Sequence, residues 1–146
     1  MRSVPLLFVI ILAACASMKA PYPAAQDIVD GVAAKHPELV RLTLHAVPEG
    51  KAECTQVAST AKGRRGKPSD PEDLDAMKTG RHIVLDEPGA IDVTVPILRK
   101  NGKATAVAGV TLRAAEGADR AALVNKARTI AAELASAVRA AGKPVW

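Results

Sequence analysis

The stretch AIDVTVPIL-RKNGK-ATAVAGVTL, residues 90–112, decides the fold class of this chain. On both sides of a polar connection, apolar side chains alternate with polar or small ones. Such alternation predicts half-buried strands over Ala90–Leu98 and Ala104–Leu112. Asn101-Gly102 in the connection is a pair that tight hairpin turns prefer, because both central residues of such a turn need a positive φ. The stretch therefore predicts an antiparallel hairpin.

The residues that precede this hairpin predict two helices and three strands. Apolar residues recur every three or four positions before Pro37, which ends the first helix, whereas they alternate strictly around Leu42 and Leu44. A second, shorter helix is capped by Ser69 or Asp70. In order, we expect a helix over Pro23–His36, strands over Leu39–Val47 and Ala52–Ser59, a short helix from Pro71 to Gly80, and a strand over His82–Asp86.

After the hairpin, Ala118–Ala140 predicts a long amphipathic helix. One side of this helix is apolar and is formed by Leu123, Ala127, Ile130, Leu134 and Val138. The resulting order is α-β-β-α-β-β-β-α, which is typical of an α+β fold. A five-stranded antiparallel sheet with the N- and C-terminal helices packed on one face would bury each of these apolar stripes.

The N-terminus has the layout of an export signal. One positive charge precedes an apolar run from Val4 to Ala14, which is too short to span a bilayer as a helix. The run closes on Leu12-Ala13-Ala14-Cys15, which resembles the lipobox of bacterial lipoproteins. The resemblance implies that Cys15 carries a diacylglycerol and begins the mature chain. We therefore expect a lipoprotein of the bacterial cell envelope, anchored in a membrane and facing the periplasm.

Ala16 bears on which membrane holds the anchor. It stands where, in lipoproteins of double-membraned bacteria, an aspartate would favour retention at the inner membrane, so the resemblance implies the outer membrane. Ordinary cleavage after Ala16 is the alternative, because Ala14-Cys15-Ala16 also places small residues at the required positions. The expected segments are a signal peptide at 1–14, a lipidated tether at 15–23, a single domain at 24–141 and a C-terminal tail at 142–146.

The composition limits the classes of partner. Aromatic residues make up 2% of the chain, so the core must be aliphatic and has little surface for stacking bases or flat cofactors. The net charge of +5 is a mild excess spread along the chain, and we expect neither nucleic acid nor a cofactor as a partner. With Cys15 lipidated, Cys54 has no partner for an intrachain disulfide, so the domain must be stable by packing.

The order of the elements resembles a family of sensors. A leading helix, a strand pair, an irregular segment with a small helix and a three-strand meander look like the PAS-like Cache domains, which are extracytoplasmic small-molecule sensors. The residues that carry the resemblance are Gly66-Lys67-Pro68-Ser69-Asp70-Pro71-Glu72-Asp73-Leu74 through Thr79-Gly80, and Val93-Thr94-Val95-Pro96-Ile97. Since Cache domains usually sit between transmembrane helices, which this sequence lacks after its signal, we expect a partner protein to receive the message.

Polar residues of the first strand pair form a candidate ligand site. If Pro48–Lys51 is a four-residue turn, positions that sum to 99 face each other. The expected pairs are His45 with Cys54, Thr43 with Gln56, and Arg41 with Ala58. Together with Arg81, the candidate ligand-binding residues are Arg41, Thr43, His45 and Gln56. An arginine there would pair with the carboxylate of a small anion. The alternative is a plain solvent-facing side of the sheet.

Three further clusters have both a chemical and a structural interpretation. The basic residues Lys62, Arg64, Arg65 and Lys67 can contact lipid phosphates, or they can form a solvated loop, and they lack the order of a phosphate-binding loop. His45 beside Cys54 can activate a thiolate or begin a metal site, whereas a buried thiol is the structural alternative. The acidic residues from Asp70 to Asp75 suit a helix start better than a calcium loop.

The sequence shows no catalytic constellation, so we expect neither an enzyme nor a metal site. The expected function is ligand binding or sensing by a membrane-anchored lipoprotein that recognises a small, anionic molecule. The alternative is an envelope lipoprotein that docks a partner protein and binds no small ligand. An enclosed cavity of roughly a few hundred Å³ on the sheet face opposite the long helices, with Arg41 or Arg81 pointing into it, would favour the first function, and a collapsed face would favour the second.

Overall fold

The computed structural model describes residues 19–143 and 145–146. The predicted signal peptide and Cys15 therefore lie outside the described residues. The helices and strands are α1 (Pro23–Ala33), β1 (Leu39–Ala46), β2 (Thr55–Ser59), α2 (Pro71–Thr79), β3 (Ile83–Glu87), β4 (Ala90–Leu98), β5 (Ala104–Arg113) and α3 (Arg120–Ala140). A single 3₁₀ turn, Lys62–Arg64, lies between β2 and α2.

The strands form one antiparallel sheet with the order β2-β1-β5-β4-β3. The two longer helices, α1 and α3, pack against each other and on one face of the sheet, while the short α2 packs against β4 and β5. The predicted α+β class and the five-stranded sheet are confirmed. The predicted β4–β5 hairpin also forms, but in its turn only Gly102 has a positive φ, at 77°, and Asn101 does not, because the turn is closed by a hydrogen bond from the Gly102 amide to the Arg99 carbonyl.

The core lies between the sheet and the two longer helices and is built from aliphatic side chains. Leu42 and Leu44 of β1, Val110 of β5, and Ile130 and Leu134 of α3 are each fully buried in it. Close packing of these branched side chains replaces the aromatic residues that the sequence lacks. Alternation along the strands then sends the polar residues between them to the opposite face of the sheet.

The short helix α2 has the ends that its sequence predicts. Pro71 is the first helical residue, and the backbone amide of Asp70 donates to Asp73 Oδ2 at 3.0 Å. Gly80 ends the helix with a φ of 69°, a left-handed conformation that glycine adopts without steric cost. The side of α2 that is buried carries Asp73 and Ala76.

The β1–β2 connection differs from the prediction. The expected turn exists, since the amide of Lys51 donates to the carbonyl of Pro48 at 3.0 Å, but β2 begins only at Thr55. The register is consequently shifted, and there is an irregularity between Leu44 and His45. The observed pairs are His45 with Gln56, Leu44 with Ala58, and Thr43 with Ser59. The predicted pairs of His45 with Cys54, Thr43 with Gln56 and Arg41 with Ala58 are wrong.

Smaller differences occur at the ends of other elements. Helix α1 stops at Ala33, because the chain turns at Lys35 and His36 before Pro37. Val40, which is in phase with the buried Leu42 and Leu44 in the alternation of β1, is nevertheless 51% exposed, since the pairing with β5 is irregular between Leu39 and Arg41. The other helix and strand boundaries lie within two residues of the expected ones.

The last residues of the chain fold back onto the domain instead of leaving it as a tail. Val145 is only 7% exposed and belongs to the core cluster, and Trp146 packs against that cluster. Among the helices of the described residues, none has the length and apolar character needed to cross a membrane.

Candidate functional site

The sheet face that α2 covers is polar and buried. It carries Thr43 and His45 from β1, Asp92 and Thr94 from β4, and Thr111 from β5, all with at most 8% of their surface exposed. These residues alternate with the core residues of the same strands, so the sequence places them on this face automatically. The face is therefore a built polar layer and not an exposed side of the sheet.

His45 lies at the centre of this layer. Its Nδ1 atom is 3.0 Å from Ser69 Oγ and 3.1 Å from Asp73 Oδ2. Ser69 Oγ in turn donates to Cys54 Sγ at 3.2 Å, and Thr94 donates to the other oxygen of Asp73 at 3.4 Å. The layer thus joins β1, β4, α2 and the segment before α2 through one hydrogen-bonded network.

Burial shifts His45 and Asp73 of this network toward their uncharged forms. It lowers the pKa of His45 to about 4, against the opposing attraction of the Asp70 carboxylate. It raises the pKa of Asp73 to about 7, against the stabilising hydrogen bond from the Asp70 amide. The imidazole is accordingly neutral at physiological pH, and Asp73 gains or loses its proton near neutrality.

The arrangement of Ser69, His45 and Asp73 does not have the geometry of a catalytic triad. In a triad the two ring nitrogens have different partners, so that one nitrogen receives the nucleophile's proton while the other is held by the carboxylate. Here both Ser69 and Asp73 contact the same nitrogen, Nδ1. Cys54 is also buried, and burial raises the pKa of its thiol, which is the environment of an unreactive cysteine.

A second group of charges borders the first. The Arg41 guanidinium lies 3.6 Å from Asp92 Oδ1 and 3.8 Å from Glu87 Oε1, and Asp92 also accepts a hydrogen bond from Thr111. The Arg64 guanidinium lies 3.2 Å from Asp70 Oδ2. Each arginine at this site is therefore matched by carboxylates of the protein itself.

A partly open cavity of about 50 Å³ lies between the polar layer and the first turn of α2, and it is much smaller than the enclosed cavity expected from the sequence. Gly109 of β5 is part of its wall, and a Cβ atom at this position would stand 3.2 Å from His45 Nε2. The ionisable groups in the wall are His45, the carboxyl groups of Asp70, Glu72, Asp73, Glu87 and Asp92, and the guanidinium groups of Arg41 and Arg64.

Three of the predicted ligand residues, Arg41, Thr43 and His45, line this cavity. Gln56 is buried next to His45, where its Nε2 donates to the Pro68 carbonyl at 3.2 Å and its Oε1 has no partner among the described residues. Arg81 is exposed beyond the end of α2 and is not in the cavity wall.

The sequence interpretation missed the acidic residues of the cavity and Gly109. Asp73 was assigned only to the start of a helix. Asp92, however, interrupts the apolar sequence of β4 between Ile91 and Val93, which is a signal for a buried polar group. In the part of the chain that the structure describes, no cluster of three or more histidine, cysteine or acidic side chains has the geometry to hold a metal ion.

The basic residues before α2 divide into two pairs. Arg64 is held by Asp70, and Arg65 donates to the carbonyl of Ser59 at 2.8 Å. Lys62 and Lys67 are exposed. The segment they belong to runs beside β2, since the amide of Gly66 donates to the Gln56 carbonyl and that of Gln56 donates to the Lys67 carbonyl, both at 2.8 Å.

Comparisons with known proteins show the fold. No family model matches the sequence, and no curated protein matches it. A GAF domain/HD domain protein from Geobacter sulfurreducens is 12% identical, with a TM-score of 0.56 over 80% of this chain and 90% of that chain. A GAF domain from A. Aeolicus is 11% identical, with a TM-score of 0.55 over 80% of this chain and 93% of that chain.

A third similar structure is the GAF domain of an Acinetobacter phosphoenolpyruvate-protein phosphotransferase. It is 16% identical, with a TM-score of 0.52 over 82% of this chain and 90% of that chain. The chain therefore has the fold of GAF domains, which is a PAS-like fold. Fold alone does not determine activity, so the function has to be inferred from the chemistry of the polar cavity.

Proposed function

We propose that this protein is a sensor-like lipoprotein of the bacterial cell envelope that binds a small polar molecule in the cavity between β1, β5 and α2. The observation that carries the proposal is the buried polar layer around His45 and Asp73. Burying a carboxyl group and an imidazole costs free energy that an aliphatic layer would not cost. Strongly shifted titrating groups beside a cavity are typical of functional sites.

The side of the cavity formed by α2 and the two wall residues before it supports a binding role because it is accessible. Of the wall residues there, Arg64, Asp70 and Glu72 are half-buried and only Asp73 is buried. Segments that bury little apolar surface are the ones that open locally without unfolding the domain. A ligand can therefore reach His45 while the aliphatic core on the other side of the sheet stays packed.

The position of the tether supports attachment to a membrane. A Cβ atom on Gly66 would lie 3.4 Å from Pro21 Cγ, so the chain leaves the domain beside the segment that carries Lys62 and Lys67. Residues 16–20 reach at most about 18 Å when fully extended. With a lipid on Cys15, the exposed lysines would face anionic head groups, whose attraction is about 1 kcal/mol per basic residue.

Replacing the two cysteines separately tests the anchor. We expect Cys15→Ser to abolish incorporation of labelled fatty acid and to release the protein from the membrane fraction. Cys54→Ser is the matched control, because that thiol lies inside the domain, and it should leave both properties unchanged. Detection of an intact leader, or of an unmodified Cys15 thiol in the purified native protein, would reject the anchored form.

A thermal-shift screen tests the ligand site. The full chain in a neutral detergent is screened against carboxylates, amino acids, amines and nucleotides, because a ligand that binds only the folded state raises its melting temperature. Gly109→Ala places a methyl group against His45 Nε2 and should remove the shift. If none of these classes raises the melting temperature, or if Gly109→Ala leaves the shift intact, the cavity is not the binding site.

A groove elsewhere on the surface favours a second candidate function, the docking of an envelope protein. An open groove of about 610 Å³ lies between the end of α3 and the β4–β5 hairpin. Leu98, which is 42% exposed, and Trp146 line it, and Arg99, Lys100 and Arg139 lie along it. Loss of a specific cross-linked partner in Leu98→Asp but not in Gly109→Ala would identify this groove, and not the cavity, as the functional surface.

A further inference from the structure

We propose that the cavity takes the primary ammonium group of a small amine, and not the carboxylate expected from the sequence. This ligand class rests on the proposed binding function of the same cavity. Three features of the wall support it: its charge, the direction of its hydrogen bonds and its size.

The wall is acidic. It contains five carboxyl groups and two guanidinium groups, and both guanidinium groups are matched within the protein. Arg41 lies between Glu87 and Asp92, and Arg64 pairs with Asp70. Within the described residues, Glu72 and Asp73 have no lysine or arginine at ion-pair distance. An anion in this cavity would have to displace one of these carboxylates from an arginine, whereas a cation meets carboxylates that are already without a counter-charge.

The hydrogen-bonding groups left free in the wall are acceptors. With the Ser69 hydroxyl donating to Cys54 and Asp73 ionised at pH 8, both partners of His45 Nδ1 are acceptors, which assigns the ring proton to Nδ1. The uncharged ring then has its lone pair on Nε2, the atom that lies over the bare backbone of Gly109. Nε2 and the Glu72 carboxylate have no donor among the described residues, and the Asp73 carboxylate, which accepts from the Asp70 amide and from Thr94, can accept one more hydrogen bond. A primary ammonium group supplies three N–H donors.

The size of the cavity limits the group that enters. A volume of about 50 Å³ is small, so the cavity itself admits only a small polar group and not a whole ligand of several carbon atoms. An ammonium group is a compact point charge of about that size, whereas a planar guanidinium is larger. The remainder of the ligand would lie at the mouth, where Glu72 is half-buried and Glu87 is exposed.

Three probes with the same carbon chain test the charge preference. Propylammonium, propionate and propionamide are titrated into the full chain in neutral detergent at pH 8, with ¹⁵N-labelled histidine to observe the His45 ring by NMR. We expect propylammonium to bind at least about tenfold more tightly than propionate, and to shift the Nε2 resonance of His45. Tenfold corresponds to about 1.4 kcal/mol, less than one hydrogen bond to a charged group.

Variants of the acidic residues identify which carboxylate binds the ammonium group. Asp73→Asn should weaken propylammonium binding about tenfold, and Glu72→Gln, at the rim, by about two- to fivefold. Asp75→Asn is the matched control, since Asp75 is exposed on α2 outside the cavity wall, and it should change the affinity less than about twofold. Circular dichroism of each variant verifies that it is folded, and Glu72→Gln changes no observed hydrogen bond.

The outcomes separate the ligand class from the binding function. Tighter binding of propionate, or propylammonium binding that neither carboxylate variant weakens, overturns the ammonium assignment. If a probe other than propylammonium binds and Gly109→Ala removes that binding, the cavity is still a ligand site, but for a molecule of another chemical class. If no probe binds and the wider screen also finds no ligand, both the ammonium assignment and the proposed binding function are rejected.

Discussion

Replacing Asp73 by asparagine should reveal how the Asp73 carboxyl group makes the free energy of unfolding depend on pH. The pKa of Asp73 is raised from 3.8 to about 7 in the folded protein. Below pH 7 the folded chain therefore keeps a proton that the unfolded chain releases, so the free energy of unfolding decreases as the pH rises toward 7 and levels off above it. Between pH 5 and pH 7 the decrease amounts to about 3 kcal/mol, two pH units at about 1.4 kcal/mol each.

His45 has the opposite dependence on pH. Its pKa is lowered from 6.5 to about 4, so the unfolded chain binds a proton that the folded chain does not, and stability increases from pH 5 to pH 6.5. This increase is about 2 kcal/mol and offsets most of the Asp73 decrease in the wild-type protein. Asp73→Asn removes the decrease of stability with pH that comes from Asp73 and keeps the increase that comes from His45. The other charged groups that face these two residues are unchanged in the variant: Arg41, Arg64, Asp70, Glu72 and Asp92.

Urea unfolding followed by circular dichroism at pH 5, 6, 7 and 8 measures both slopes. We expect the free energy of unfolding of the wild type to vary little with pH. The difference in this free energy between Asp73→Asn and the wild type should shift by about 3 kcal/mol in favour of the variant from pH 5 to pH 8. The variant keeps a side-chain oxygen that can accept from the Asp70 amide. Asp75→Asn serves as the control.

The opposite result would refute this account of the pair. If Asp73→Asn loses several kcal/mol of stability at every pH, the folded protein contains an ionised His45–Asp73 pair, because removing one member of such a pair leaves the other charge buried.

Three other predictions concern the fold and the free thiol. Gln26→Leu should cost about 1–3 kcal/mol in urea unfolding, because Gln26 bonds both the amide and the carbonyl of Ser59 at 3.1 Å; an equal loss in the exposed Asp27→Asn would contradict this. Leu44→Ala should cost about 2–5 kcal/mol, since Leu44 is fully buried. Cys54 should react with a thiol reagent at pH 7 far more slowly in the folded than in the urea-unfolded chain, and equal rates would show that the thiol is accessible.

Local signals predicted the elements of this fold well. The β4–β5 hairpin was correct because its strand alternation and its Asn-Gly turn act within a few residues of each other. The ends of α2 were correct for the same reason, as Pro71 and Gly80 are local start and stop signals. The order of these elements was then enough to predict an antiparallel sheet with two helices on one face, since few arrangements bury all the apolar stripes.

The register of β1 and β2 could not be predicted from the turn alone. A turn does form at Pro48–Lys51, but the strand does not resume after it, because residues 66–68 pair with the start of β2 and fix its position. The full set of residues in the candidate site could not be predicted for a similar reason. His45 and Arg41 were recognisable on one strand, whereas Asp73, Asp92 and Gly109 come from three other elements that only the fold brings together. The expectation of an anionic ligand rested on the arginines alone, without the carboxylates that the fold places beside them.

Because Trp146 packs against the core, its fluorescence reports whether the end of the chain is docked on the domain. Trp146 is the single tryptophan, so the indole emission of the protein comes entirely from its last residue. That residue lies at the end of α3, in the groove beside the β4–β5 hairpin, and does not line the cavity under α2. A red shift in fluorescence would thus report undocking of the C-terminus, while entry of an amine beside His45 would leave the spectrum unchanged.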